Sequence, residues 1–377
     1  MEFDFSWLLW GLPLAFVLGW LASRLDLRQL RIENRQAPKA YFRGLNFLLN
    51  EQQDQAIDAF IEAVRNDPDT SELHFALGNL FRRRGEYERA VRVHEHLLSR
   101  GDLDQSDRHR AQHALALDFL KAGLLDRAEE ALRKLEGTAY EAQALLALLA
   151  IYERTRDWKS ASETARKLGS GGHGDFSGRL AHYLCEQAAD APPFEAENLL
   201  KEAQATAPGM ARPGLDLAAL AQRAGKPDAA FDTLFRLVDA APQALGLIAQ
   251  PLAQAAKECH RQETARSLLQ ARLADAASLD VMDALAQLET SEEKRRQHYL
   301  QHMQREPSLV AAARWMAGTP TTETQVQPLV QRALDHAAKP LTRYRCAACG
   351  FEANRHFWQC PGCQAWDSYP ARRVEEL

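Results

Sequence analysis

Between Asp4 and Arg24 lie nineteen residues without a charge, FSWLLWGLPLAFVLGWLAS. As a helix rising roughly 1.5 Å per residue they reach about 28 Å, close to the hydrocarbon thickness of a bilayer. Trp7, Trp10 and Trp20 stand toward the two ends, where indole rings favour the headgroup boundary. Pro13 is compatible with a spanning helix. From residue 37 onward the pattern is different, because small and aromatic residues recur at a fixed period.

The N-terminal run reads as an anchor that stays on the chain. A signal peptide opens on basic residues and ends at a small-x-small site, whereas this one opens on the acidic MEFD and ends on LASR. Arg24, Arg28, Arg31, Arg35, Lys39 and Arg43 follow the span, and no Lys or Arg precedes it. The positive-inside rule then places everything after residue 24 in the cytoplasm. The expected organisation starts with a transmembrane anchor over 1–23 and a basic juxtamembrane linker over 24–36. A buried core helix is the competing reading of the apolar run.

The period beyond residue 37 is 34. Gly44 and Gly78, Phe47 and Phe81, and Ala56 and Ala90 are each separated by that step, and Pro68 closes the first unit. Thirty-four residues with small residues at two fixed places and an aromatic between them is the tetratricopeptide (TPR) pattern. The small residues let the two helices of a unit approach closely, the aromatic fills the gap and the late Pro ends the second helix. Phe119 with Ala128 marks a third unit, and Tyr152, Trp158 and Ala161 a fourth. Ala196, Ala203 and Pro208 mark a fifth, and Gly225, Ala230 and Pro242 a sixth, with degraded signals around Ala265 and Pro307. The array is expected over 37–316, with the glycine-rich GSGGHGDFSG (169–178) as a flexible joint. A generic helical bundle competes for 245–316. A linker, GTPTTETQVQP (318–328), and one more helix then fill 317–343.

Stacked repeats curve and present an extended concave surface lined by the first helix of each unit. In this register the inward positions include Phe75, Asn79, Arg82 and Arg83, then His113 and Lys121, then Arg154. That mixture suits an acidic or carboxylate-bearing segment of a partner. A solvated basic face is the alternative.

Charge and cysteine placement decide the rest. A formal net charge of −5 on 377 residues gives no case for nucleic acid as the main partner. Of six cysteines, Cys185 and Cys259 stand alone in helical sequence and read as small apolar core residues. Cys346, Cys349, Cys360 and Cys363 form C-x2-C-x10-C-x2-C. In a reducing compartment such a set holds a metal, and four thiolates suit one tetrahedral ion, iron or zinc, with no position open for substrate. The segment 344–377 is therefore a small metal-binding module held together by the ion and by Phe351, Phe357, Trp358 and Trp366. His356 reads as an exposed residue of the loop between the two knuckles. No nucleophile–base set, phosphate loop or paired acids stand out, so a binding protein is expected, not an enzyme.

Anchor, repeat array and terminal knuckle pair, in that order, resemble the lipopolysaccharide assembly protein B family essentially end to end. The resemblance rests on GLNFLLNEQQDQAIDAF (44–60), LGNLFRRRGEYERAVRVHE (77–95), AHYLCE (181–186) and YRCAACGFEANRHFWQCPGC (344–363). It implies an all-α TPR superhelical solenoid with an N-terminal transmembrane helix and a rubredoxin-like C-terminal knuckle domain. The four cysteines match the family's rubredoxin-type ligands, although Gln364 stands where rubredoxins have glycine. It further implies an adaptor on the cytoplasmic face of the inner membrane. There it would help the membrane protease FtsH degrade the lipid A pathway deacetylase (LpxC), opposed by an inner-membrane lipopolysaccharide sensor protein. A rubredoxin-like electron-transfer or redox-sensing role is the alternative.

Overall fold

Two glycines set how closely the first helices pack. A methyl group on Gly44 would lie 2.9 Å from the Phe60 ring, and one on Gly78 would lie 2.5 Å from the His94 ring. Both distances are too short for a Cβ, so each helix meets its partner backbone-on-ring. Phe60 and His94 are themselves 34 residues apart. In the third unit Ala116 and Leu132, both buried, take the corresponding places.

The computed structural model describes residues 42–66, 70–273, 278–317 and 327–377, together with Phe16, Val17 and Trp20, which are helical. The expected anchor and basic linker otherwise lie outside the described residues, as do Pro68 and most of the 318–328 linker. Among the described residues no helix is long and apolar enough to cross a membrane. The chain divides into two compact units, Met1–Arg154 and Thr155–Leu377.

The first unit holds α1 (42–49), α2 (Gln53–Asn66), α3 (Ser71–Arg84), α4 (Tyr87–Ser99), α5 (Gln105–Ala122), α6 (Leu125–Arg133) and α7 (Glu141–Thr155). From α2 to α6 each helix packs on the next. Ala56, Phe60, Ala63, Leu77, Phe81 and Ala90, the residues that carry the repeat pattern, form one buried cluster. Gly85 and Gly123 end α3 and α5 at φ of 85° and 78°, the left-handed C-terminal position where a side chain is strained. The buried polar residues described in this unit are His74, His94 and Asp118; the His94 Nδ1 lies 2.5 Å from Asp118 of α5. Arg82 holds the other carboxylate oxygen at 2.8 Å, so this buried charge is shared between two partners.

The second unit holds α8 (Trp158–Ser170), then the pairs α9 (Ser177–Asp190) with α10 (Pro193–Thr206) and α11 (Ala211–Arg223) with α12 (Pro227–Ala240). There follow α13 (Leu245–Glu258) with α14 (Gln262–Arg272), α15 (Leu279–Leu288) with α16 (Glu292–Arg305), and α17 (Leu309–Ala317) with α18 (Gln327–Ala338). The pairs stack in sequence, so the stretch 245–316 continues the paired array. Its largest core joins Phe231, Leu234, Leu237, Ile248, Leu252 and Leu285. The glycine-rich 169–178 segment is not a joint: α8 and α9 pack on each other, and Gln187 reaches back to Ser162 Oγ (2.7 Å) and the Trp158 carbonyl (3.1 Å). Cys185 is buried, while Cys259 is only half-buried at the edge of the large core.

The last residues depart from an all-α description. Strand β1 (Tyr344–Arg345) pairs antiparallel with β2 (Glu352–Ala353), a hairpin that carries the first cysteine pair. The protein is a mostly helical TPR-like solenoid with a rubredoxin-type ribbon at its C-terminus.

Two measurements check this packing. Gly78→Ala drives a methyl into a buried ring that Asp118 holds in place, so it should destabilise the first unit by about 2 kcal/mol in denaturant unfolding. Asp283 of α15 is buried beside Tyr299 and Arg314. Burial, only partly offset by Arg314 and Tyr299, raises its carboxyl to about 6. The folded chain then keeps a proton that the unfolded chain releases at lower pH, so this residue's contribution to stability falls as pH rises from about 4 to about 6. Asp283→Asn should remove that component, and Tm should climb more steeply with pH across this window than in the parent chain.

Candidate metal centre and binding face

Two tight turns bring the four thiols together. In the first, the Gly350 amide bonds the Cys346 carbonyl (2.9 Å) and the Cys346 amide bonds the Phe351 carbonyl (2.9 Å). The second repeats this, with Gln364 N to Cys360 O (2.8 Å) and Cys360 N to Ala365 O (2.9 Å). Each turn needs a left-handed residue four places after its first cysteine: Gly350 has φ of 77° and Gln364 has φ of 60°. Glycine adopts this without cost, and glutamine does not.

All four sulfurs lie within 4.8 Å of one another. Cys346 and Cys363 are 3.8 Å apart, and Cys349 and Cys360 are 3.7 Å apart. None is in a disulfide. A tetrahedron of metal–sulfur bonds near 2.3 Å has edges of about 3.8 Å, so the set fits one tetrathiolate ion. Protonation favours the same outcome. Burial works against ionising Cys346, but Ser368 and the amides of Cys349 and Ala348 outweigh it and bring that thiol down to about 6. At Cys349 the Phe351 amide favours the thiolate, yet burial and the three neighbouring sulfurs prevail and push it up to about 12. A divalent cation relieves that crowding, which protons relieve only in part.

The ribbon's interior is smaller than its aromatic content implies. Tyr344, Cys346, Cys360 and Tyr369 form it, with Phe357 and Leu247 against them. His356 is half-buried, not exposed. Its Nε2 donates to the Tyr369 carbonyl (3.0 Å) and its ring meets Trp358 edge-on. Two of the aromatics expected to hold the module together serve the array instead. Trp358 packs on the large helical core. Trp366 stacks on His182 of α9 at 4.6 Å and meets Trp158 and Tyr183 by its edge.

A polar clamp completes the docking. Arg212 donates to His182 Nδ1 (3.2 Å), which leaves Nε2–H for Asp367 (2.9 Å). Arg373 grips both carboxylate oxygens of Asp280, at 2.9 and 2.8 Å, and lies over the Tyr344 ring. Glu376 accepts from the Leu279 amide at the start of α15 (2.6 Å). Glu375 accepts from the Leu309 and Val310 amides at the start of α17 (2.6 and 3.2 Å). Carboxylates at helix N-termini satisfy unpaired amides and the helix dipole together. Sequence reasoning missed this clamp, and only the acidic end of the chain, VEEL, carried any signal of it.

In the first unit, a groove of about 210 Å³ is lined by Leu45, Leu48, Ala76, Asn79, Leu80 and Arg83, among others, so two of the expected face residues share one concavity. Phe75 is 1% exposed beneath Arg110 and has no surface to offer a partner. Arg82 is held by Asp118 and the Asn79 side chain. His113 stacks on Tyr140, and burial together with Arg82 lowers its pKa, so it is uncharged at neutral pH. Arg83, Lys121 and Arg154 are exposed.

Gln364→Gly should relieve the left-handed turn and stabilise the ribbon by up to about 1 kcal/mol, read as slower loss of metal to a chelator. Stripping the ion with the same chelator should lower the Tm of the parent chain.

Residues 344–369 match the family model described as a rubredoxin metal binding domain. Lipopolysaccharide assembly protein B of Escherichia coli (strain K12) is 30% identical over 385 residues, covering 97% of this chain and 98% of that protein. The Haemophilus influenzae protein of that name is 28% identical, covering 95% and 96%. Among solved structures, the chain is similar to one of Naa15/Naa10 bound to HypK-THB, at 14% identity and TM-score 0.48, covering 81% of this chain and 48% of that one. It is also similar to a tetratricopeptide repeat protein from Parabacteroides merdae, at 14% identity and TM-score 0.35, covering 67% and 98%. The match to the Escherichia coli protein covers nearly the whole of both chains, and the chain belongs to the lipopolysaccharide assembly protein B family.

Proposed function

We propose that the protein is a membrane-anchored, non-enzymatic adaptor that regulates lipopolysaccharide assembly. The observation that carries this reading is the similarity to the Escherichia coli assembly protein over 97% of the chain. A repeat solenoid with a clamped metal ribbon supports it, because such a scaffold offers surface and rigidity for holding proteins. In the finer form of the proposal, residues 1–23 span the inner membrane and the bulk of the chain faces the cytoplasm. The array presents the lipid A pathway deacetylase LpxC to the membrane protease FtsH, and an inner-membrane lipopolysaccharide sensor opposes this at the anchor. Confinement to the membrane raises the local concentration of both partners, so weak contacts suffice. The tetrathiolate ion, iron or zinc, is structural.

Exposure of Cys349 and Cys363 favours one competing reading, in which the ribbon carries an iron redox couple. A reversible iron couple in the purified chain would support it, and spectroscopically silent zinc would reject it.

Deleting residues 1–23 while the remainder stays folded should abolish control of deacetylase levels, followed by immunoblot after synthesis is stopped. A soluble form that still regulated normally would overturn the adaptor reading.

A further inference from the structure

Four residues of the first unit occupy one register position. Leu49, Arg83, Lys121 and Arg154 each stand two residues after the aromatic of their repeat, Phe47, Phe81, Phe119 and Tyr152. All four are exposed. The three cations come from α3, α5 and α7, one from each successive first helix. These helices are neighbours: Arg82 of α3 bonds Asp118 of α5, and His113 of α5 stacks on Tyr140, just before α7.

The helix dipole favours a cation in the last turn of any helix, which accounts for the sign of these residues. It does not account for their lack of partners. Other arginines of this unit are matched to carboxylates: Arg84 to Asp54, Arg89 to Glu86, Arg110 to Glu72, Arg127 to Glu95 and Arg133 to Glu129. Arg83, Lys121 and Arg154 have no acidic partner among the described residues. The row also ends beside a groove that contains Arg83 itself, with Leu45, Leu48, Ala76 and Leu80, and with Glu72 neutralised by Arg110.

We propose that this face docks an extended acidic segment of a partner protein, with carboxylates on Arg83, Lys121 and Arg154 in turn and an apolar end seated between Leu45, Leu48, Ala76 and Leu80. The proposal rests on the reading of the array as the part that holds a protein, and it names the chemistry of what is held. Neighbouring helix axes lie roughly 10 Å apart and an extended chain advances about 3.3 Å per residue, so the carboxylates recur at about every third residue. The net charge of −5 disfavours nucleic acid as the occupant, since three cations on an acidic chain neutralise few phosphates.

The test uses the full chain in detergent and a fluorescent peptide with two leucines at one end and Glu at every third residue. Its Gln counterpart, vesicles containing phosphatidylglycerol and a single-stranded oligonucleotide serve as comparisons. The parent chain should bind the Glu peptide about tenfold more tightly than the Gln peptide, with an affinity that falls as salt rises. The combined Arg83→Gln, Lys121→Gln and Arg154→Gln variant should lose most of that preference while its Tm falls by only a few degrees, the loss of three favourable helix-end charges. The proposal is overturned if the parent chain shows no preference, if the variant keeps it, or if the variant loses only vesicle or oligonucleotide binding. If the variant still controls deacetylase levels in cells while the anchor deletion does not, the row falls and the adaptor reading stands. If the anchor deletion also regulates, that reading fails whatever the peptide does.

Discussion

Close approach of paired helices at small residues governs what the rest of the first unit can do. Gly44 against Phe60 and Gly78 against His94 leave no room for a methyl group, so each pair locks at one separation and one register. Because the contact recurs after 34 residues, from Gly44 on Phe60 to Gly78 on His94, other positions of these two units recur with it. Phe60 and Phe81 join one buried core, and Leu49 and Arg83, two places after Phe47 and Phe81, are both exposed. Where the large partner is a histidine in place of a phenylalanine, Asp118 holds its Nδ1 and is itself paired with Arg82. An unpaired imidazole there would cost several kcal/mol.

The C-terminal ribbon solves a different problem with the same economy of residues. Its own core is little more than two tyrosines and two cysteines, far below what an independent fold needs. An ion held by the four thiolates would supply the missing stability, since binding energy in such modules is folding energy, on the order of 10 kcal/mol. The tryptophans are then released from internal packing. Trp358 and Trp366 face the helices, and the last residues of the chain close over the N-termini of α15 and α17.

How much of this was legible follows from how local each interaction is. The repeat period and the cysteine pairs are written within short spans, and the structure agrees with them. Phe75 and Arg82 were assigned to the surface because helical register gives a direction but not what lies in that direction. Arg110 covers the first and Asp118 captures the second from the next repeat. The glycine-rich 169–178 segment looked like a joint from composition, yet packing between α8 and α9 overrides it. The ribbon clamp links residues more than 90 positions apart, as in Arg373 to Asp280, and no local pattern encodes that.

The clamp also joins the thiol site to the array through one short turn. Ser368, beside Cys346 Sγ at 3.3 Å, and Asp367, bonded to His182, are consecutive residues, so the turn that positions a ligand's neighbour also positions the contact to α9. Asp367 sits at φ of 50°, a left-handed conformation that aspartate tolerates better than most residues. Arg373 and the two terminal glutamates follow in the chain and hold the tail to α15 and α17. The ribbon is therefore fastened to the helices at two places, and the first of them is built on the same turn that lies against the thiols.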